Sequence, residues 1–135
     1  MSKNDNKKKE EKRWVENYFK DKNNCKEGCD VFDLPETEQE HRLPLMKRII
    51  CKDGFTMSVQ AGRGMYCDPR VTAFFTNSFI YSELEIGFPS RKEELLMEYA
   101  EDRNKPKDTV YPYVPVGVID KVIEKHKGIK PWLTQ

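Results

Sequence analysis

The residues with the most chemical potential are four cysteines: Cys25 and Cys29, separated by three residues, with Cys51 and Cys67 further along. Four thiolates close a tetrahedral zinc site, and the first pair, preceded by Asn23-Asn24 and enclosing Gly28, has a spacing that a metal-holding turn tolerates. Against that, Cys51 falls inside a predicted strand, where cysteine packs as a small hydrophobe, and the two-residue spacing of a zinc knuckle occurs nowhere. Zinc is thus an alternative, and no cofactor is the main expectation. The opening run Met-Ser-Lys-Asn-Asp-Asn-Lys-Lys-Lys lacks the apolar stretch of a signal peptide, so an intracellular chain with reduced cysteines is expected.

Two histidines, His41 and His126, complete the nucleophile and base inventory. His126 falls in the last turn of a predicted helix, where open carbonyls and the helix dipole favour an imidazolium, so a capping role accounts for it. His41, between Glu40 and Arg42, reads as solvated. Neither Gly-x-Ser-x-Gly nor a Cys/His motif context is present, so no nucleophilic triad is supported. Glu83 and Glu85 share one face of a strand and could act as paired carboxylates, although such residues are more often the wet face of a sheet. With Cys67 they would be the residues of a hidden enzyme; a non-catalytic protein is the expectation.

More suggestive is the set Gln60, Arg63, Tyr66 and Arg70, gathered around Ala61-Gly62-Arg63-Gly64 in a turn-rich stretch that leaves a well-formed hairpin. Arginine recognises anions bidentately, tyrosine offers a stacking face and glutamine can read an amide or base edge. A nucleotide-like molecule or a host protein would suit these four as ligand. The structural alternative pairs Arg70 with Glu83 or Glu85. Trp14, Tyr18 and Phe19 fall on one side of a short helix and form a second candidate surface, for a partner or for the chain's own core.

These residues need elements to hold them. Ile49-Ile50-Cys51-Lys52, Asp53-Gly54 and Phe55 to Gln60 predict a hairpin over about 47–60 with a two-residue turn. Lys52 would then face Phe55 and Ile50 would face Met57, giving an apolar face of Ile50, Phe55, Met57 and Val59. A third strand is expected over about 81–88, with Leu84, Ile86 and Phe88 inward and Tyr81 outward. Ser90-x-x-Glu93 matches a capping box and predicts a short helix over about 91–100 with Leu95, Leu96 and Tyr99 buried. Val110–Val114 reads as an edge or extended segment, because Pro112 cannot donate to a ladder. A C-terminal helix follows over about 118–127, stopped near Gly128 in a Schellman turn. The fold class is α+β: a small antiparallel sheet with two helices and an appended N-terminal helix.

The chain has 135 residues, with 24 Lys+Arg against 23 Asp+Glu and 37% hydrophobic residues. That length suits one core, while near-zero net charge excludes strong non-specific nucleic-acid binding by the whole chain. Residues 1–13 hold six basic and three acidic side chains and no aliphatic one after Met1, which predicts a disordered charged arm. Residues 14–45 read as the aromatic helix and an irregular linker, and 46–135 as one compact domain. Nowhere is there an apolar run long enough to span a membrane.

The runs Arg48–Ala61, Tyr66–Arg70, Glu85–Ser90, Glu93–Asp102 and Thr109–Pro115 resemble a group of small proteins of tailed bacteriophages and prophages, a group with no assigned activity. The resemblance covers about residues 46–129; residues 1–45 fall outside it, and 71–80 is longer here. It implies a viral protein acting in the cytoplasm of a bacterial host. The reading that follows is a binding protein that counters a host factor, by engaging a defence protein or by sequestering its nucleotide signal. The alternative is a zinc-stabilised structural or virion-assembly protein; whether the chain forms a homo-oligomer is open.

Overall fold

A computed structural model describes residues 12–27, 45–72 and 79–131. In chain order it contains a helix Trp14–Lys20, strands β1 (Cys25–Glu27), β2 (Leu45–Met46), β3 (Ile49–Ile50), β4 (Thr56–Gln60) and β5 (Glu83–Gly87), a 3₁₀ helix Glu94–Tyr99, strand β6 (Val110–Pro115) and a helix Val116–Lys125. The α+β class is as expected. β3-β4-β5-β6 form a four-stranded antiparallel sheet in sequence order, and β1 pairs with β2 in a separate small sheet. The expected arm and linker, and with them His41 and Cys29, lie largely outside the described residues.

The hairpin forms with a different register. Ile49 faces Met57 and Ile50 faces Thr56, and the Cys51 N–H donates to the Phe55 carbonyl at 2.8 Å. Three residues therefore make the turn, not two. Gly54 takes a φ of 98° and the Asp53 carboxylate accepts the Phe55 N–H at 3.0 Å, the pattern of a three-residue loop with a left-handed glycine. The extra loop residue turns Ile49 and Cys51 inward with Phe55, Met57 and Val59, all buried, and leaves Ile50 half-exposed. A one-residue slip exchanges the faces of a strand.

Leu84 and Ile86 of β5 are buried as expected. Phe88 is not: it sits just past the strand with φ 49° and stays exposed, while Tyr81, expected outside, is buried before the strand begins. The capping box does not form. Ser90 Oγ instead accepts the Thr56 N–H, Glu93 caps through Leu95 N, and the segment is a 3₁₀ helix that buries Leu96 and exposes Leu95. Val110–Pro115 is β6, an edge strand of the sheet, one of the two readings that Pro112 left open.

The C-terminal helix buries Ile119, Val122 and Ile123 in one cluster with Met57, Val59, Leu84, Ile86, Tyr111 and Val114 of the sheet. Each such side chain contributes roughly 1.5–3 kcal/mol on full burial. The helix ends in the expected Schellman turn: Gly128 N donates to Ile123 O at 2.9 Å and Lys127 N to Glu124 O at 3.1 Å. Lys127 and Gly128 both have positive φ, and a Cβ on Gly128 would lie 2.7 Å from the Trp14 ring. Beyond the turn, Ile129 bridges Cys51, and Lys130 N donates to Ile50 O at 2.7 Å.

The N-terminal helix docks on its own chain. Val15, Tyr18 and Phe19 are buried in the same cluster as the sheet. Val15 N donates to Asp120 at 3.0 Å and Trp14 Nε1 to Glu124 at 2.8 Å.

Candidate functional site

The turn-rich stretch after β4 is a folded loop. Gly62 has a φ of 138°, and a Cβ there would press on Thr72 Oγ1 at 3.3 Å. Gly62 N donates to Cys67 Sγ, and that thiol has the Gly62 and Pro69 carbonyls as acceptors. Burial pushes the Cys67 thiol up, against the pull of the Gly62 N–H and Arg70, so it is a packed staple and not a ready nucleophile. At the far end Asp68 bridges Glu83, Ser82 Oγ donates to the Asp68 carboxylate at 2.9 Å, and Tyr81 OH donates to Val71 O at 2.7 Å.

Tyr66 is held from two sides. Its N–H donates to Glu85 Oε1 at 2.8 Å and its carbonyl accepts the Tyr113 N–H at 3.1 Å. Tyr113 belongs to a β-bulge: β5–β6 pairing runs Leu84 with Val114 and then Ile86 with Tyr111, so Pro112 and Tyr113 together oppose Glu85. The two tyrosine rings lie 6.0 Å apart at 45°, and both residues are exposed to about two-fifths. The Arg70 guanidinium stands over the Tyr66 ring, 5.4 Å from its centroid, within the range of a cation–π contact. Among the described residues Arg70 makes no ion pair, with Glu83, Glu85 or any other carboxylate.

Of the four expected ligand residues, Tyr66 and Arg70 are therefore together, and Arg63 is exposed in the same loop, its N–H held by Thr72 Oγ1 at 3.2 Å. Gln60 is withdrawn. Its side-chain amide exchanges two 2.9 Å hydrogen bonds with the Met46 backbone and a third with Ser58, so it ties β2 to β4. Trp14, Tyr18 and Phe19 serve the chain's own core, since Tyr18 and Phe19 are buried and Trp14 lies against Gly128. Of the two strand carboxylates, Glu85 accepts the Tyr66 N–H and Glu83 pairs through its backbone with Asp68.

The cysteine expectations change at Cys25, which is disulfide-bonded, whereas Cys51 and Cys67 are free and buried. A compartment argument from composition says nothing about which thiols the fold brings within bonding distance. While so bonded, Cys25 is no thiolate ligand. Among the described residues no three His, Cys, Asp or Glu side chains form a metal-holding group.

His126 is more than a helix cap. Its buried ring lies between two carboxylates, with Nδ1 2.7 Å from Asp53 Oδ2 and Nε2 2.7 Å from Glu93 Oε1. Phe55 stacks on the ring at 4.1 Å. Lys125 reaches the other Glu93 oxygen at 2.8 Å, and Arg91 shares Asp53 Oδ2 at 3.2 Å. The Phe55 N–H and then His126 hold the Asp53 carboxyl below the usual range. For Glu93 burial pushes upward, but Lys125, the Leu95 N–H and His126 together outweigh it and hold that carboxyl low as well. Arg91 NH2 also lies 3.4 Å from Nδ1, so the guanidinium meets both the ring and Asp53. No spacing rule in the sequence joins residues 53, 93 and 126; the only signal was an acidic residue in a hairpin turn.

A cavity of about 300 Å³ opens beside Tyr18, Asn24, Ile129 and Pro131. Asp21, Asn23 and Lys130 complete its lining, and the Tyr18 hydroxyl and the Asn24 amide nitrogen there donate to backbone carbonyls.

Comparison of the chain with protein-family models, with curated proteins and with solved structures gives no match. Among the described residues no helix is long and apolar enough to cross a membrane.

Proposed function

We propose that this protein is a non-catalytic binding protein whose ligand is a flat, anionic molecule of the nucleotide kind. One observation carries the reading: Arg70 lies over the ring of the exposed Tyr66 and, among the described residues, has no carboxylate partner. Such an arginine is oriented in advance and keeps its donors for an incoming anion. The adjoining tyrosine supplies a surface on which a base can stack, and Arg63 adds positive charge to the same loop.

A non-catalytic role is supported by how the reactive groups are spent. His126 has a carboxylate on each ring nitrogen, Glu85 accepts a backbone N–H, and Cys67 is buried with a raised thiol. None is left as a free base beside a nucleophile. The resemblance to phage and prophage proteins supplies a setting: a viral product in the host cytoplasm that sequesters a nucleotide signal and so blunts a host defence.

Isothermal titration of the purified protein with adenosine and guanosine mononucleotides tests the reading. Saturable binding, lost in the Arg63→Ala/Arg70→Ala double variant, supports it. Unchanged affinity in that variant removes the loop from the site. No binding by the wild type, together with a host protein retained through this face in a pull-down, replaces the nucleotide by a protein partner.

A further inference from the structure

Strand β6 departs from alternation at one place, and the departure decides where a large ring goes. Tyr111 and Val114 are both buried although they are three residues apart. In a regular strand Tyr113 would share a side with Tyr111 and point into the core. The bulge opposite Glu85 inserts one residue, returns Val114 to the core and sends Tyr113 to the exposed side, beside Tyr66.

The insertion has a conformational cost that glycine or asparagine would largely avoid. Tyr113 has a φ of 54°, left-handed backbone that aromatic residues rarely adopt. The Tyr113 N–H to Tyr66 carbonyl bond holds this conformation, and the ring so delivered is 40% exposed. It therefore forgoes part of the burial that a core position such as Tyr111 provides. Strain of this kind, fixed by its surroundings and spent on exposing a ring, is characteristic of ligand-contacting positions.

Resting on the nucleotide-binding reading above, we infer that Tyr113 is a ligand-contacting residue that selects for an aromatic base, while Arg70 takes the phosphate. The rings of Tyr66 and Tyr113 are tilted at 45° and lie 6.0 Å apart, which is too close and too inclined for a base to be sandwiched between them. The base is thus held on the Tyr113 ring, with Arg70 over the Tyr66 ring beside it. Its phosphate points toward Arg70 and Arg63.

The experiment separates ring from backbone, using the full chain and titration with adenosine monophosphate, adenosine and inorganic phosphate. Tyr113→Gly suits the left-handed backbone, so its melting temperature is expected at or above that of the wild type. Its affinity for adenosine monophosphate should fall roughly tenfold, the scale of one lost stacking contact. Tyr113→Phe keeps the ring and should bind within about twofold of the wild type. Arg70→Ala should weaken the monophosphate far more than adenosine. Wild-type affinity in Tyr113→Gly overturns this inference and leaves the proposed function standing. Failure of the wild type to bind adenosine monophosphate overturns both. A Tyr113→Gly protein that binds more weakly but also melts lower ascribes the loss to structure, and counts against a contact role unless Tyr113→Asn, which also tolerates this backbone, repeats the affinity loss with an unchanged melting temperature.

Discussion

The Nε2 nitrogen of His126 lies 2.7 Å from Oε1 of Glu93, a hydrogen bond between two buried groups 33 residues apart in sequence. With Asp53 on the opposite nitrogen, it joins the hairpin turn, the 3₁₀ segment and the end of the C-terminal helix. Glu93 is buried and also makes an ion pair with Lys125 at 2.8 Å, so neutralising it breaks a pair and disturbs the bond to His126. Glu93→Gln should therefore destabilise the fold by about 3 kcal/mol, the lower end of the usual range, since Lys125 can turn to solvent. Urea denaturation at neutral pH measures this; a change under about 0.5 kcal/mol, the usual size for an unremarkable surface site, would show that the cluster is not holding the elements together.

The same cluster sets an acid limit. Asp53 and Glu93 both ionise more readily folded than unfolded. Their stabilisation is complete above the unfolded values of about 3.9 and 4.3, and is lost as pH falls through the lower folded values. Urea midpoints between pH 7 and pH 3 should drop below about pH 4, and less steeply in Glu93→Gln. Equal slopes in the two proteins would remove Glu93 from the acid response.

Gly128 reports on docking of the N-terminal helix. Alanine there must take a φ of 88° and place its methyl 2.7 Å from the Trp14 ring. Gly128→Ala should cost about 1–3 kcal/mol and shift the Trp14 emission, read in a Trp132→Phe background. Conversely Lys127, with a φ of 76°, is a left-handed position occupied by a side chain, and Lys127→Gly should stabilise by up to about 1 kcal/mol.

Cys51 should be inert in the folded protein. Burial, with a smaller contribution from Asp53, pushes its thiol up to about 11. Iodoacetamide at pH 8 should leave Cys51 unmodified in native protein and label it in denaturant, as read by peptide mass mapping. Rapid labelling of the native protein would mean that the hairpin edge opens.

What was legible in the sequence was what local pattern controls. Asp-Gly marked the hairpin, the i, i+3, i+4 spacing of Ile119, Val122 and Ile123 marked the C-terminal helix, and Gly128 marked its end. Pro112 marked an edge or extended segment. The register was misread because Asp-Gly serves both two-residue and three-residue turns, and only the partner strand decides between them. Ser90-x-x-Glu93 misled because Glu93 had stronger partners in Lys125 and His126 than a capping box offers. At the candidate site, Tyr66 and Arg70 were visible from residue type within one loop. Tyr113 was not, because a bulge displaces it from the face its position in the strand implies.

The two flanks of the four-stranded sheet bear on how copies of this chain meet one another. Beyond β3 the backbone donors continue into Lys52 and Lys130, which bond to Gly128 and Ile50. Beyond β6, Pro112 and Pro115 have no N–H to offer, and the Tyr113 N–H is already given to Tyr66. Among the described residues neither margin presents a long straight row of free donors and acceptors, and breaking such rows is how natural sheets avoid polymerising through their edges. The bulge that turns Tyr113 outward also keeps the molecule from growing by strand addition at that edge.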